Sequence, residues 1–313
     1  MAKNMKKLFL TITIDTENPQ NALVKDIYHT DTLLMPQKHN YGIRYLLKVF
    51  DYYGIQASWF LNIYEEYLCG DRILGKLCEL LRIYKQDIQL HTHPVWLMDK
   101  EHRKKVLMNQ YTLAEQIYIL EKGKEEVYRL GGVWPSAHRG GAYGVNADTL
   151  RALERTSIKM DSSLYAGSPY CKIKSRYNNC IHALNGIIEL PVSVYQINSK
   201  SGVYRNKSDI NYSSYRELVQ CCEQMMEHNM QYLNVFMHSF SLYKFFYRDI
   251  ATADIDFSPE KKVIRKLIKF LNYLSNQPEI EIVTVREIGQ RINSGDIDLE
   301  RVDYVPATKR IRG

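Results

Sequence analysis

His91-Thr92-His93-Pro94 sets two imidazoles two residues apart, at the end of the apolar-alternating run Asp87-Ile88-Gln89-Leu90. On an extended segment successive side chains point to opposite faces, so His91 and His93 share a face and their nitrogens can converge on one ion. Neutral imidazole is the commonest metal ligand, and the proline that follows stops the strand, which places the pair at a mouth where loops gather. A second pair has the same spacing. The run Leu8 to Glu17 alternates apolar residues with Thr11, Thr13, Asp15 and Glu17, so the two carboxylates also share a face. Arg139, Asp161 and His238 stand at the ends of three further strand-like runs.

The elements that would bring these residues together recur with a regular period. A strand at Leu8–Glu17 is followed by helical spacing over Tyr41–Tyr53, closed by Gly54, and by a strand at Gln56–Asn62. Helical stretches near Glu65–Ile83 and Leu113–Tyr128 flank the histidine-bearing strand, and Pro135–Arg139 reads as the next strand. A short helix over Asn146–Arg155, capped by Asn146 with Asp148 in its first turn, leads to a strand at Ser157–Asp161. Beyond a loop rich in Ser, Gly, Tyr and Asn come a strand at Ile187–Ser193, a helix near Tyr215–Glu227 and a strand at Tyr232–His238. A last helix and strand are expected at about Pro259–Leu274 and Glu279–Val285. Seven or eight strands alternating with helices, without a low-complexity linker, predict one α/β barrel-like domain spanning residues 1–313. In a barrel of parallel strands the carboxyl ends share one rim, so Asp15, Glu17, His91, His93, Arg139, Asp161 and His238 would be neighbours there.

With 313 residues and 45% hydrophobic side chains, the chain can bury a sizeable core. Its net charge of +7 is scattered instead of forming a stripe, so no nucleic-acid partner is expected. The apolar run after the basic amino terminus is only Leu8-Phe9-Leu10, a strand and not a signal segment, and no stretch approaches the ~18 apolar residues of a membrane span. The six cysteines form no C-x-x-C pair and read as thiols, so a cytoplasmic protein without a transmembrane segment is expected. Gly140-Gly141-Ala142-Tyr143-Gly144 fits neither a phosphate loop nor a full G-x-G-x-x-G, which sets nucleotide binding aside. Nothing in the sequence fixes an oligomeric state.

Motif by motif, the chain resembles the polysaccharide deacetylase superfamily, the NodB-homology carbohydrate esterases of family 4 type, and looks closest to the WalW-like branch. Thr13-Ile14-Asp15-Thr16-Glu17 stands where the family has T-F-D-D-G or T-F-D-x-E, and His91-Thr92-His93-Pro94 stands at its metal-binding histidine motif. Arg139-Gly140-Gly141-Ala142-Tyr143-Gly144 resembles the third motif. Met160-Asp161-Ser162-Ser163, Glu189-Leu190-Pro191-Val192 and Phe236-Met237-His238-Ser239-Phe240 resemble later ones, and the likeness runs from about Leu8 to Ile288. The resemblance implies a distorted (β/α) barrel of about seven strands that uses a divalent metal, zinc or another ion, to remove an N-acetyl or O-acetyl group from a carbohydrate. An amide carbonyl is a poor electrophile, and a bound divalent ion both polarises it and makes water nucleophilic. On this likeness His91 and His93 hold the ion, Asp15 is the base and His238 the acid, and Arg139 orients Asp15. Asp161 either orients His238 or Arg139 or caps a turn. The partner is a carbohydrate substrate bearing acetamido groups.

Two departures from the family pattern bear on the metal. The aspartate that usually follows the base is Thr16 here, which leaves Glu17 as the natural replacement ligand. The family's histidines commonly stand four apart, which would set Gln89 opposite the first and His93 opposite the second, so either His91 or Gln89 shares the ion with His93. Thr16 and Gln89 also support a different class of function, a non-catalytic carbohydrate-binding or scaffold protein on a degenerate barrel.

Overall fold

The computed structural model describes residues 7–18, 41–98, 105–199, 202–249, 254–299 and 303–309. In chain order its strands are β1 (Leu8–Thr16), β2 (Ser58–Asn62), β3 (Asp87–Thr92), β4 (Ala137–Gly140), β5 (Met160–Asp161), β6 (His182–Leu184), β7 (Ile187–Glu189), β8 (Val194–Ser199), β9 (Gly202–Lys207), β10 (Tyr232–His238), β11 (Tyr243–Asp249), β12 (Asp254–Pro259), β13 (Ile280–Ile282) and β14 (Ala307–Lys309). The main sheet runs β10-β1-β2-β3-β4-β5-β7-β6. Its pairings are parallel from β10 through β7, and only β6 is antiparallel. Seven parallel strands therefore form the wall of a distorted (β/α) barrel. β13 adds to the start of β1 on the side that β2 occupies higher up.

Between β7 and β10 the wall is completed by irregular backbone. Ser208 N–H donates to the Ser193 carbonyl, Phe236 N–H to that of Ser208 and Ile210 N–H to that of Phe236. This stitching satisfies the edge of β10, which would otherwise present unpaired groups inside the fold.

Alternation along the strands sorts side chains into two layers. Leu8, Leu10, Ile12 and Ile14 of β1 face outwards and pack with Ile43, Leu46, Leu47 and Phe50 of the helix Ile43–Tyr53, whose four buried residues recur at helical spacing. Phe9, Phe60, Ala137, Met160 and Tyr232 face the barrel interior and meet Val285 and Ile288 of the helix Val285–Ser294, which plugs the lower end. Above that plug the inward positions become polar. Thr11, Thr13 and Asp15 follow Phe9 on β1, and Arg139 follows Ala137 on β4.

Several elements differ from their sequence reading. The helical stretch near Glu65–Ile83 is interrupted at Gly70, whose φ of 82° lies in the left-handed region that glycine tolerates. Only Met160–Asp161 and Ile187–Glu189 of two expected strands keep ladder pairing. The three-stranded sheet β14-β8-β9 and the β11–β12 hairpin have no counterpart in the periodicity reading: both hairpins lie outside the alternating α/β frame, and β14 joins β8 from the far end of the chain. Among the described residues no helix is long and apolar enough to cross a membrane.

Candidate active site

The carboxyl ends of β1 and β3 lie two strands apart, and their inward side chains converge over the barrel. His93 Nε2 is 3.0 Å and His91 Nε2 3.5 Å from Glu17 Oε2. Among the described residues these three are the only group of ligating side chains placed to share an ion. His91 Nδ1 lies 2.9 Å from the Arg139 carbonyl oxygen. A carbonyl carries no proton, so Nδ1–H is the donor and the tautomer leaves the Nε2 lone pair directed towards Glu17. Glu17 Oε2 and His91 Nε2 are both buried and neither makes a well-aligned hydrogen bond. Buried polar atoms are rarely left unpartnered, and two facing acceptors are the arrangement that a cation satisfies. The donor set of one carboxylate and two imidazoles suits zinc or a similar divalent ion.

The backbone admits His93 through a glycine. A Cβ on Gly141 would lie 2.5 Å from His93 Nε2 and closer still to Nδ1 and Cε1. Behind the cluster, the carboxylate of Glu65 accepts from Asn18 N and Nδ2, both at 2.9 Å, and from Asn62 Nδ2 at 3.3 Å. Asn62 Oδ1 in turn accepts from His93 N at 3.4 Å, so Glu65 ties the end of β1 to the end of β3. Burial pushes Glu65 up to about 8, against the donors from Asn18 and Asn62 and helped by the charge of Glu17.

Asp15 sits beside this group, 3.8 Å from His91 Nε2. Arg139 Nη1 donates to its Oδ1 at 2.8 Å. The guanidinium is fully buried, and its remaining donors reach Thr13 Oγ1 at 3.1 Å and the carbonyl and hydroxyl of Ser162 at 3.0 and 2.9 Å. Its carbon lies 4.1 Å from the centre of the Phe60 ring. Burial works to raise the Asp15 pKa, but His91, Arg139 and His238 outweigh it and hold the carboxyl below its ordinary value. Glu17 is lowered further still: burial is overcome by the charge of His93 and by the close approach of both imidazoles. Both carboxylates are therefore ionised at neutral pH.

His238 ends β10, in register with Asp15. Its Nε2 lies 3.8 Å from Glu17 Oε1, and its side chain is 28% exposed where those of Glu17, His91 and His93 are 3% or less. It is thus the member of the group that solvent reaches. Its ring stacks on Phe240 at 4.8 Å and meets the edge of Phe236 at 4.9 Å. Burial lowers its pKa, opposed by Glu17 and assisted by Lys207, whose ammonium lies 3.5 Å from the Phe236 ring centre. The loop after Arg139 is strained, with φ of 49° at Ala142 and 61° at Tyr143. Such outliers collect at functional sites, where the surroundings hold them in place.

Asp15, Glu17, His91, His93, Arg139 and His238 are thus brought together, and Asp161 is not. Asp161 is in register with His138, not with Arg139, so its side chain points to the outer face and bonds His138 Nδ1 at 2.7 Å and Ser163 Oγ at 2.9 Å. It orients neither His238 nor Arg139. Gln89 faces inwards but lies two residues deeper, where its amide is committed to Asp87, Ser136 and Ala137. His91, not Gln89, therefore stands beside His93. Thr16 is turned to the other face of β1 and donates to the Ile14 carbonyl. His138 and Glu65 were not singled out from the sequence, and Gly141 only as a member of the Arg139–Gly144 motif. A histidine directly before Arg139 and a double glycine directly after it were the available signals.

No protein-family model and no curated protein matches the sequence. Solved structures do. A candidate polysaccharide deacetylase from Mycobacterium smegmatis superposes with a TM-score of 0.61 at 13% identity, covering 97% of this chain and 96% of that one. The allantoinase PuuE gives 0.55 at 11% identity, covering 93% and 92%. A 4-alpha-glucanotransferase from Thermococcus litoralis gives 0.50 at 10% identity over 92% of this chain and 41% of its own. At such identities the likeness establishes the fold alone, and the chemistry lies with the residues of the site.

Proposed function

We propose that this chain is a metal-dependent hydrolase that removes an N-acetyl group, or an O-acetyl group, from a carbohydrate. The observation that carries this reading is the Arg139-held carboxylate of Asp15 lying 3.8 Å from His91, beside the unpartnered Glu17 and His91 atoms. Glu17, His91 and His93 would hold the ion. When bound, a divalent ion such as zinc polarises the acetyl carbonyl and brings the pKa of water towards neutrality.

The remaining work falls to the chain itself. Asp15, ionised at neutral pH, accepts the proton of the attacking water, and Arg139 holds it in place so that little reorganisation is needed. Water oxygen bonds to the carbonyl carbon, the carbon–nitrogen bond then breaks, and the amine leaves only if protonated. His238, beside Asp15 on the neighbouring strand and the most exposed of the group, supplies that proton after receiving the one Asp15 took from water. Acetate and a free amino sugar are the products, and atoms and charge balance once the two protons are counted. The half-buried His238–Phe240 stack presents aromatic surface suited to the apolar face of a sugar ring.

The test is acetate release from a panel of N-acetylated and O-acetylated sugars by protein loaded with zinc, cobalt or manganese, with elemental analysis of wild type and H91A. Release that depends on metal and disappears in H91A is expected. No release from any sugar, with metal content unchanged in H91A, would exclude the enzyme and leave a carbohydrate-binding scaffold as the function.

A further inference from the structure

Three groups with no place in the reaction above, His138 before Arg139, Asp161 with Ser163, and Glu189, meet on the outer face of the barrel wall. Cross-strand register sets His138 beside Asp161 and Asp161 beside Glu189. All three are fully buried. His138 Nδ1 is 2.7 Å from Asp161 Oδ1, and its Nε2 is 2.9 Å from Thr92 Oγ1. Thr92 is the residue between the two histidines of the ion site.

Asp161 has a second arm. Ser163 Oγ donates to Asp161 Oδ1 at 2.9 Å and accepts from Gly140 N at 2.9 Å. Gly140 precedes the glycine against which the His93 ring lies. One buried carboxylate is therefore connected to both sides of the histidine pair: through His138 to Thr92, and through Ser163 to the Gly140-Gly141 seat of His93.

We propose that Asp161, His138 and Ser163, backed by Glu189, are positioning residues that fix the His91-Thr92-His93 segment in its ion-binding geometry from the opposite face of the sheet. The proposal rests on the assignment of Glu17, His91 and His93 as ion ligands. Glu189 completes the ladder. Its Oε1 accepts from Leu164 N at 3.0 Å, while its buried Oε2 accepts from no donor. Two adjacent buried carboxyls cannot both carry charge without large cost, so one proton resides between them, with Glu189 as the donor to Asp161. Burial and the neighbouring Asp161 both push Glu189 well above the ordinary carboxylate range, which agrees. Asp161 accepts from His138 and both Ser163 donors, and the Glu189 proton would complete the set for a buried carboxylate.

Metal-ligating histidines are commonly set by the partners of their neighbours, and loss of such partners costs ~10–100-fold in metal affinity. The experiment is zinc affinity by chelator competition for T92V, T92S, S163A, E189L and E189Q, with thermal midpoints measured alongside. T92V keeps the shape of threonine and removes its hydroxyl, so its affinity is expected to fall about tenfold or more, with T92S restoring it. E189L is expected to weaken binding and E189Q, whose amide still donates, to rescue it.

A second readout needs no metal. In the metal-free wild type, at a pH above the raised His91 pKa, long-range proton–nitrogen NMR is expected to show His91 as a single Nδ1–H tautomer, and in T92V and S163A as an average of two. Folded T92V and S163A with zinc affinity within about twofold of wild type and an unchanged His91 tautomer would overturn the proposal. If wild type binds no zinc, the assignment of the ion site fails, and the tautomer measurement still decides the ladder.

Discussion

Replacing Gly141 by alanine should remove His93 from the ion site while leaving the rest of the barrel standing. Gly141 does not use a left-handed backbone conformation, so alanine carries no φ penalty there, and what changes is space alone. The new methyl would sit 2.5 Å from His93 Nε2 and nearer to two other ring atoms. Carbon contacts are ordinarily ~3.5–4.0 Å, so the ring must retreat by about 1 Å or more. Ligand distances in a metal site are held to within ~0.2 Å, and that retreat places Nε2 outside any shared shell with Glu17 Oε2, from which it is now 3.0 Å away. Loss of one of three protein ligands should lower zinc affinity by ~100-fold or more, above the effect of removing a supporting partner. Overpacking itself costs ~1–3 kcal/mol, which a domain of this size survives. Chelator competition measures the affinity, and a urea melt of the metal-free protein measures the stability separately. Folded G141A that binds zinc within about threefold of wild type would refute the assignment of His93 as a ligand, because no conformation with the ring in place can accommodate the methyl.

Three further outcomes follow from the same geometry. R139M leaves Asp15 buried without its cation, and breaking a buried pair from one side costs ~3–5 kcal/mol, which urea denaturation near neutral pH should register. H238Q should lower kcat for deacetylation by ~10²–10⁴-fold while the zinc content measured by elemental analysis stays at the wild-type value. Stability against pH should differ between metal-free and zinc-loaded protein. Asp15 and Glu17, lowered from 3.8 and 4.5, contribute stability above those values that is lost as pH falls through their folded values. For His91 burial is outweighed by Asp15 and Glu17, and its pKa rises above 6.5, so its contribution is complete below 6.5 and is lost as pH rises through the raised value. Metal-free protein should therefore lose stability on the alkaline side, and zinc, which takes the place of that proton, should abolish the loss. Urea midpoints of the metal-free protein that stay level from about pH 6 to 8.5 would contradict the His91 assignment.

Much of the site was legible because it depends on local period. Two-residue spacing put Asp15 with Glu17 and His91 with His93 on common faces, and strand ends in a parallel barrel share a rim, so Arg139 and His238 could be placed near them without contacts. Parity also explains where that reading stops. Asp161 stands at a strand end like the others, but its register with His138 turns it outwards, and register across β4 and β5 is fixed by long-range pairing that no local pattern encodes. Gln89 has the right parity and the wrong height, since Asp87, Ser136 and Ala137 engage it below the ion site. The pairing of β14 with β8 is of the same kind: Ala307 meets Gln196 across more than a hundred residues, and neither segment announces its partner.

The sequence by itself determined the alternating α/β order, the parallel barrel and the identity of the side chains on its rim, because hydrophobic period and strand-end position are properties of short stretches. Only the tertiary structure decided which of those side chains meet: His91 with Glu17 instead of Gln89, Arg139 with Asp15, Asp161 with His138 behind the wall. The depth of a residue along its strand and the face it presents depend on the register between strands, and register is set by packing between segments far apart in the chain.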